Sequence, residues 1–150
     1  MKILVTGAKG FVGQNLCAAL NEIKTGHDQR RDHALCADPA KIEIFEYDMD
    51  STPEQLDTWC ADCDFVFNLA GVNRPKDNSE FMEGNFGFAS DLLNALKRHG
   101  NTCPVMLSSS IQASLEGRYA GSEYGKSKRA GEDLFFDYAK QTLNILKSKG

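Results

Sequence analysis

Lys2-Ile3-Leu4-Val5-Thr6-Gly7-Ala8-Lys9-Gly10-Phe11-Val12-Gly13 opens the chain and decides its fold. A short apolar run, residues 2–6, reads as a buried strand. After Gly10, apolar residues at Val12, Leu16, Ala19, Leu20 and Ile23 fall on one helix face. Between them stand three glycines at GxxGxxG spacing. Gly7 allows a tight turn, Gly10 lets backbone approach a pyrophosphate, and Gly13 lets the helix pack closely on the sheet. The helix start then offers its unpaired N–H groups and positive dipole end to phosphates, with Phe11 and Val12 at the contact. Chance alone places such spacing somewhere in roughly one chain in twenty of this length. A strand just before it and a helix just after make a dinucleotide the expected ligand.

The rest of the chain alternates in the same way. Residues 25–41 are polar and broken by Gly26 and Pro39, with one weak strand candidate at 33–37. Residues 42–47 are β-branched and aromatic, and Ser51-Thr-Pro-Glu54 is a capped helix start with Pro at its first position, predicting a helix to about residue 60. Residues 65–69 form an apolar strand closed by Ala70-Gly71. Phe86, Phe88, Ala89, Leu92, Leu93 and Leu96 make an apolar stripe ended by Lys97-Arg98-His99 and Gly100. Residues 104–107 give another strand, tipped by Ser108-Ser109-Ser110, and a last helix is expected over about 122–140. This order predicts an α/β fold, a Rossmann-like doubly wound parallel sheet with right-handed crossovers, with 1–150 as one NAD(P)-binding domain.

An acid at the end of the second strand commonly binds the adenosine ribose and disfavours a 2′-phosphate. Asp38 and Asp48 compete for that place, and Asp48 is favoured because it follows the better strand. Either acid leans towards NAD(H). Arg30 or Arg31, folded back onto a 2′-phosphate, would suit NADP(H), so both cofactors stay open.

Tyr124 and Lys128 stand four apart on the last predicted helix, so both side chains emerge on one face. An ammonium near the phenol favours its ionised form, fitting Tyr124 to exchange a proton with an alcohol or sugar oxygen beside a nicotinamide. The pair alone is weak, with about 0.3 matches expected by chance from composition. Its position after a serine-tipped strand carries the information, because ligands in such sheets bind beyond the strands' carboxyl ends. Ser110 is the expected hydroxyl for the reacting oxygen. Ser108 and Ser109 position backbone and cofactor.

The motifs Thr6–Gly13, Asn68-Leu69-Ala70-Gly71, Ser108–Ser110 and Tyr124-Gly-Lys-Ser-Lys128 together resemble the extended short-chain dehydrogenase/reductase (epimerase/dehydratase) family of nucleotide-sugar enzymes. Asn68-Leu-Ala-Gly-Val-Asn-Arg-Pro75, Phe81-Met-Glu-Gly-Asn-Phe-Gly87 and Leu107-Ser-Ser-Ser-Ile-Gln-Ala113 resemble more narrowly its CapF/WbjC/FnlB group of bacterial surface-polysaccharide enzymes. That resemblance implies reduction of the C4 ketone of a UDP-2-acetamido-2,6-dideoxy-4-keto-hexose, towards UDP-N-acetyl-L-fucosamine, with NADPH the usual donor. It implies Ser110, Tyr124 and Lys128 as the catalytic set. Gly7, Gly10, Gly13 and the Leu69-Ala70-Gly71 strand end would hold the cofactor, and Asn73, Arg74 and Gln112 would contact substrate. Asn68 stands where many extended relatives carry His. The family continues past the tyrosine helix into a substrate lobe and, in this group, a cupin domain, so the chain reads as truncated after that helix and inactive alone. A UDP-sugar epimerase or dehydratase with bound NAD, and a non-catalytic nucleotide-binding module, are the rival readings.

Composition bounds the partners. A net charge of −4 argues against nucleic acid, and no apolar run approaches membrane-spanning length. Met1-Lys2 leads straight into the first strand without signal-peptide architecture, which predicts a cytoplasmic protein whose partner is a small-molecule UDP-sugar, with homodimerisation left open. Five cysteines suit reduced thiols, and Cys60-Ala-Asp-Cys63 lacks the second close pair of a zinc site. It reads as incidental helix-end cysteines, and no metal is expected.

Overall fold

The computed structural model describes residues 1–27, 38–72 and 75–149. Four parallel strands, β1 (Lys2–Thr6), β2 (Glu43–Tyr47), β3 (Phe65–Asn68) and β4 (Val105–Leu107), form one sheet in the order β2-β1-β3-β4. The register sets Ile3 opposite both Ile44 and Phe65, and Val66 opposite Val105. The helices are α1 (Phe11–Thr25), α2 (Pro53–Asp62), the single turn α3 (Ser79–Phe81), α4 (Phe88–Arg98) and α5 (Glu123–Lys149). The predicted α/β, doubly wound parallel architecture is the observed one.

Strand order explains the layering. The chain leaves β1 for β2 in one direction and leaves β3 for β4 in the other, so right-handed crossovers put the connecting helices on opposite faces. Alternation along β1 serves both. Ile3 and Val5 pack with Ala8, Cys17 and Leu20 of the α1 layer, whereas Leu4 joins Leu56, Val66, Leu92, Leu96 and Phe135 beneath α2, α4 and α5. The loops after β1 and β3 diverge at their carboxyl ends and leave a crevice there.

Local chemistry fixes most helix ends. Thr52 caps α2 through Gln55 N–H, the Gln55 side chain accepts from Thr52 N–H, and Pro53 sits at the first helical position. Gly100, at φ +64, follows α4, with Gly100 N–H bonded to Lys97 O and Asn101 N–H to Leu96 O.

Several boundaries differ from expectation. β2 starts at Glu43 because Ile42 closes the short turn Pro39–Lys41, and β4 starts at Val105, after a proline that has no N–H for the ladder. α5 runs nine residues beyond 140: Tyr138, Thr142 and Leu146 line a groove against residues 102–105, a tertiary contact without a clean apolar stripe. The weak strand candidate at 33–37 lies outside the described residues.

Where β1 and β3 end, the Thr6 hydroxyl donates to Asn68 Oδ1 at 2.5 Å and accepts from Ala70 N–H at 3.3 Å, in full burial. This pair sets the separation of the two loops. Thr6→Val keeps the shape but leaves Asn68 Oδ1 and the Ala70 amide without their partner, so stability is expected to fall by about 1–3 kcal/mol. A urea unfolding curve checks it, with a lower midpoint at unchanged slope.

Candidate functional site

The glycine loop is as tight as its spacing suggests, at two of its three glycines. Gly7 has φ +68, and a Cβ there would lie 2.8 Å from Ala70 N. A Cβ on Gly13 would lie 2.1 Å from Gly7 O and 2.8 Å from Ala8. Gly10 differs in degree: the one atom within 4 Å of its Cβ position is Gly7 O at 3.3 Å, a tight contact but not an overlap. The space there is open to something from outside the chain.

Gly10 caps α1 without a side-chain bond, and the first intrahelical bond beyond it runs from Gln14 N–H to Gly10 O at 2.9 Å. The amides of Phe11, Val12 and Gly13 therefore stand at the open helix start. Phe11 and Val12 are 87% and 61% exposed, an unusual state for large apolar side chains that marks this corner as a contact surface.

Asp48 follows β2 directly, and its Oδ2 accepts from Lys9 N–H at 2.8 Å while Oδ1 accepts from Met49 N–H. Asp38 precedes β2, at the start of the turn Pro39–Lys41. Of the two acids, Asp48 is the one at the carboxyl end of a strand and against the glycine loop. The Lys9 ammonium pairs with Asp50 on the same corner.

Across the crevice, Gly125 brings α5 in. A Cβ there would fall 2.3 Å from Gln112 O, so only glycine lets the first turn of α5 rest on the turn Ile111–Ser114 that Ser110 caps. Ser122 fixes the helix start: its hydroxyl accepts from Gly125 N–H and donates to Gln112 Oε1 at 2.8 Å. Lys128 Nζ lies 5.7 Å from the Tyr124 ring centre and donates to Ser108 O at 3.2 Å. Phe81 braces the other side of Tyr124, edge to face at 5.4 Å.

These elements enclose a cleft of about 380 Å³. Gly7, Gly10, Phe11, Val12, Gly13, Leu69, Gly71, Ser108, Tyr124 and Lys128, all expected at the site, line it, with Val72 and Ser109 beside them. Ala70 sits just behind, held by Thr6. Ser110 and Gln112 stand outside the lining, the Ser110 hydroxyl accepting from Gln112 N–H and Gln112 Oε1 engaged by Ser122. Asn73 and Arg74 lie outside the described residues.

Asn85 is the residue that motif reading missed. It sits in a π-type stretch, Met82–Gly87, where Phe88 N–H reaches five residues back to Glu83 O. Its Oδ1 accepts from Val72 N–H at 2.9 Å, and its amide nitrogen donates to Val72 O and to the Ser127 hydroxyl at 3.0 Å. Ser127, fully buried, in turn donates to Tyr124 O. One side chain thus ties the β3 loop to the helix carrying Tyr124 and Lys128. The available signal was a polar residue beside an apolar helical stripe. Glu132, which accepts from the Ser109 hydroxyl, was equally unmarked.

The sheet order, the glycine turn and the Tyr/Lys cleft at the strands' carboxyl ends define a Rossmann-like nucleotide-binding architecture. Residues 3–146 match the model of the NAD dependent epimerase/dehydratase family, and the chain belongs to that family. It is 39% identical over 133 residues to a UDP-2-acetamido-2,6-beta-L-arabino-hexul-4-ose reductase of Pseudomonas aeruginosa, covering 89% of this chain and 30% of that protein. The crystal structure of the capsular polysaccharide assembling protein CapF from Staphylococcus aureus is similar at 36% identity and TM-score 0.67, over 95% of this chain and 33% of that one. UDP-glucuronic acid 4-epimerase from Bacillus cereus, in complex with NAD, shares the fold at 22% identity and TM-score 0.68, over 93% of this chain and 53% of that one. The chain thus spans about a third of the length of the first two relatives.

Burial pushes the Lys128 ammonium below lysine's ordinary pKa. With the folded value depressed, the unfolded chain binds more protons between the two values, so stability rises with pH through that window, and at neutral pH the charged form carries its penalty. Lys128→Met is therefore expected to melt at or above the parent temperature at pH 7. Thermal unfolding followed by circular dichroism checks this, a lower melting temperature being the contrary result.

Proposed function

We propose that this chain is the cofactor-binding and proton-exchanging part of an NAD(P)H-dependent reductase acting on the C4 ketone of a UDP-2-acetamido-2,6-dideoxy-4-keto-hexose, on a route to UDP-N-acetyl-L-fucosamine for bacterial surface polysaccharide. The observation that carries the reading is the joining of the glycine loop and the Tyr124/Lys128 pair in one cleft, supported by the 39% identity to a reductase of that substrate class.

The cleft suits a nicotinamide dinucleotide by its own geometry. The space at Gly10, the free amides at the start of α1 and a half-buried ammonium bonded to the Ser108 carbonyl all suit a ligand with anionic and hydroxyl groups. Gly7, Gly10, Phe11, Val12, Gly13, Leu69, Ala70, Gly71 and Ser108 would hold it, and Lys128 would give it a hydrogen bond as well as charge. When bound, it would supply the hydride that the C4 carbonyl needs. Tyr124 donates its phenolic proton to the C4 oxygen, and Lys128 stabilises the phenolate left behind. Ser110 holds the same oxygen, and Asn73, Arg74 and Gln112 contact the sugar nucleotide. The complete enzyme works on a small-molecule UDP-sugar in the cytoplasm, with a homodimer as the assembly to test.

Two experiments test this reading. Calorimetric titration of the folded chain with NADH and NADPH is expected to show saturable binding, tighter for NADH because the Asp48 carboxylate, at the end of β2 against the glycine loop, would repel a 2′-phosphate, and Asp48→Asn is expected to narrow the gap several-fold. Absence of binding by either dinucleotide would sink the proposal. In the complete protein, Tyr124→Phe is expected to cut net NAD(P)H consumption with the 4-keto sugar by at least about 100-fold while leaving dinucleotide affinity within about threefold. Product formed without net cofactor consumption would instead favour an epimerase. Dehydration is disfavoured by the absence of acidic residues after Ser110, where Ile111 and Gln112 stand.

A further inference from the structure

Three buried cysteines gather far from the cleft, at the amino ends of β3 and β4. Cys60 lies near the end of α2, Cys63 is its C-terminal cap, and Cys103 precedes β4. The Cys63 and Cys103 sulfurs are 3.8 Å apart. Cys63 and Cys103 stand just before the paired strands β3 and β4. Closing the bond requires their sulfurs to move together from 3.8 Å to about 2.05 Å.

The surroundings distinguish these two thiols from the third. Cys63 and Cys103 share one S–H···S contact, and Asn101 Nδ2 lies 3.6 Å from the Cys63 sulfur while donating to Cys60 O and Cys63 O. The Cys103 hydrogen bond, with smaller help from the Cys63 backbone and Asn101, holds the Cys63 thiol below its ordinary pKa; its counterpart raises Cys103. Burial pushes Cys60 up to about 12. Among the described residues no group of three or more His, Cys, Asp or Glu is arranged to hold a metal ion. Cys103 also lines a groove of about 460 Å³ between α5 and β4, walled by Pro104, Val105, Phe135, Tyr138 and Leu146, whereas Cys63 does not.

We propose that Cys63 and Cys103 form a reversible dithiol–disulfide couple, oxidised by low-molecular-weight disulfides that reach Cys103 through the groove beside α5. The pair first loses one proton to solvent, leaving the thiolate on Cys63; Cys103 S–H then passes its proton to that thiolate along the S–H···S contact, and the Cys103 thiolate so formed attacks one sulfur of the small disulfide RSSR. A Cys103–SR bond forms and RS⁻ leaves, taking up the proton that Cys63 then gives back. The Cys63 thiolate attacks the Cys103 sulfur, a second RS⁻ leaves, and it is protonated from solvent to replace the proton released on ionising the pair. In sum, two protein thiols are oxidised to one disulfide and one RSSR is reduced to two RSH.

The test is peptide mapping of the folded, fully reduced 150-residue chain after exposure to oxidised glutathione, acid quenching and alkylation in denaturant. The expected product has one internal Cys63–Cys103 bond, with Cys17, Cys36 and Cys60 alkylated, and dithiothreitol reverses it. Cys63→Ala is expected to stop at a stable glutathione adduct on Cys103, and Cys103→Ala to leave at least about tenfold less adduct on Cys63. Full alkylation of all five thiols in the parent chain, or a major bond to Cys17, Cys36 or Cys60, overturns the proposal, as does a Cys63→Ala chain that folds and takes up no glutathione at Cys103. The parent map decides the matter even if either variant fails to fold.

Discussion

The contact between Gly13 and the Gly7 carbonyl is the constraint from which the rest of the site is built. No side chain fits between them, and the two backbones must meet for α1 to start where it does. That meeting aims the open amides of Phe11, Val12 and Gly13 across the ends of β1 and β3. Gly7 is hemmed from the other side by Leu69 and Ala70, so the β3 loop is packed against the same turn. Thr6 then fastens the two by bonding both Asn68 and Ala70. Close backbone approach and a buried hydroxyl, more than hydrophobic burial, fix the cleft floor; burial fixes only which face each strand residue takes.

The opposite wall is assembled from a different device. Asn85 spends its whole amide on Val72 and Ser127, and Ser127 passes the connection to the Tyr124 carbonyl. A polar side chain buried this deeply is tolerated because every donor and acceptor on it is matched. The π-type stretch supports this arrangement by rotating Asn85 inward before α4 begins. The distance between the β3 loop and the tyrosine helix therefore rests on one amide, and the cleft width is set by hydrogen bonds at both walls.

What could be read from sequence follows from where the deciding interactions lie. The β1 turn, the Thr52/Gln55 cap and the Gly100 stop are local, since each is settled by residues within about six positions. They were legible. The acid at the end of β2 was ambiguous because a polar stretch separates it from α1, and parallel pairing of Thr6 with Tyr47 is what assigns the position to Asp48. The last nine residues of α5 were invisible because the helix there packs on residues 102–105 through one side of Tyr138 and Thr142, with Leu143 and Leu146 about half exposed. The structural ties of Asn85 and Gln112 escaped sequence reading for the same reason: their partners Val72 and Ser122 are 13 and 10 residues away, and hydrogen bonds of that span leave no periodic trace.

The two chemistries assigned to this domain share β3 and β4 but use opposite ends of them. The Tyr124/Lys128 cleft lies at the carboxyl ends, where Lys128 holds the Ser108 carbonyl, and the Cys63/Cys103 pair lies at the amino ends. At about 3.3 Å per residue, the five steps from Cys103 to Ser108 separate them by roughly 16 Å of strand. Ladder hydrogen bonds and the fully buried Val66 keep that stretch rigid. Joining the sulfurs fastens strands that are already paired, so the bond adds a constraint along a direction in which the sheet does not yield. The groove that admits an oxidant is, besides, walled by the far end of α5, while its first turn carries Tyr124. A long helix docked at both ends lets one element serve both sites without their geometries competing.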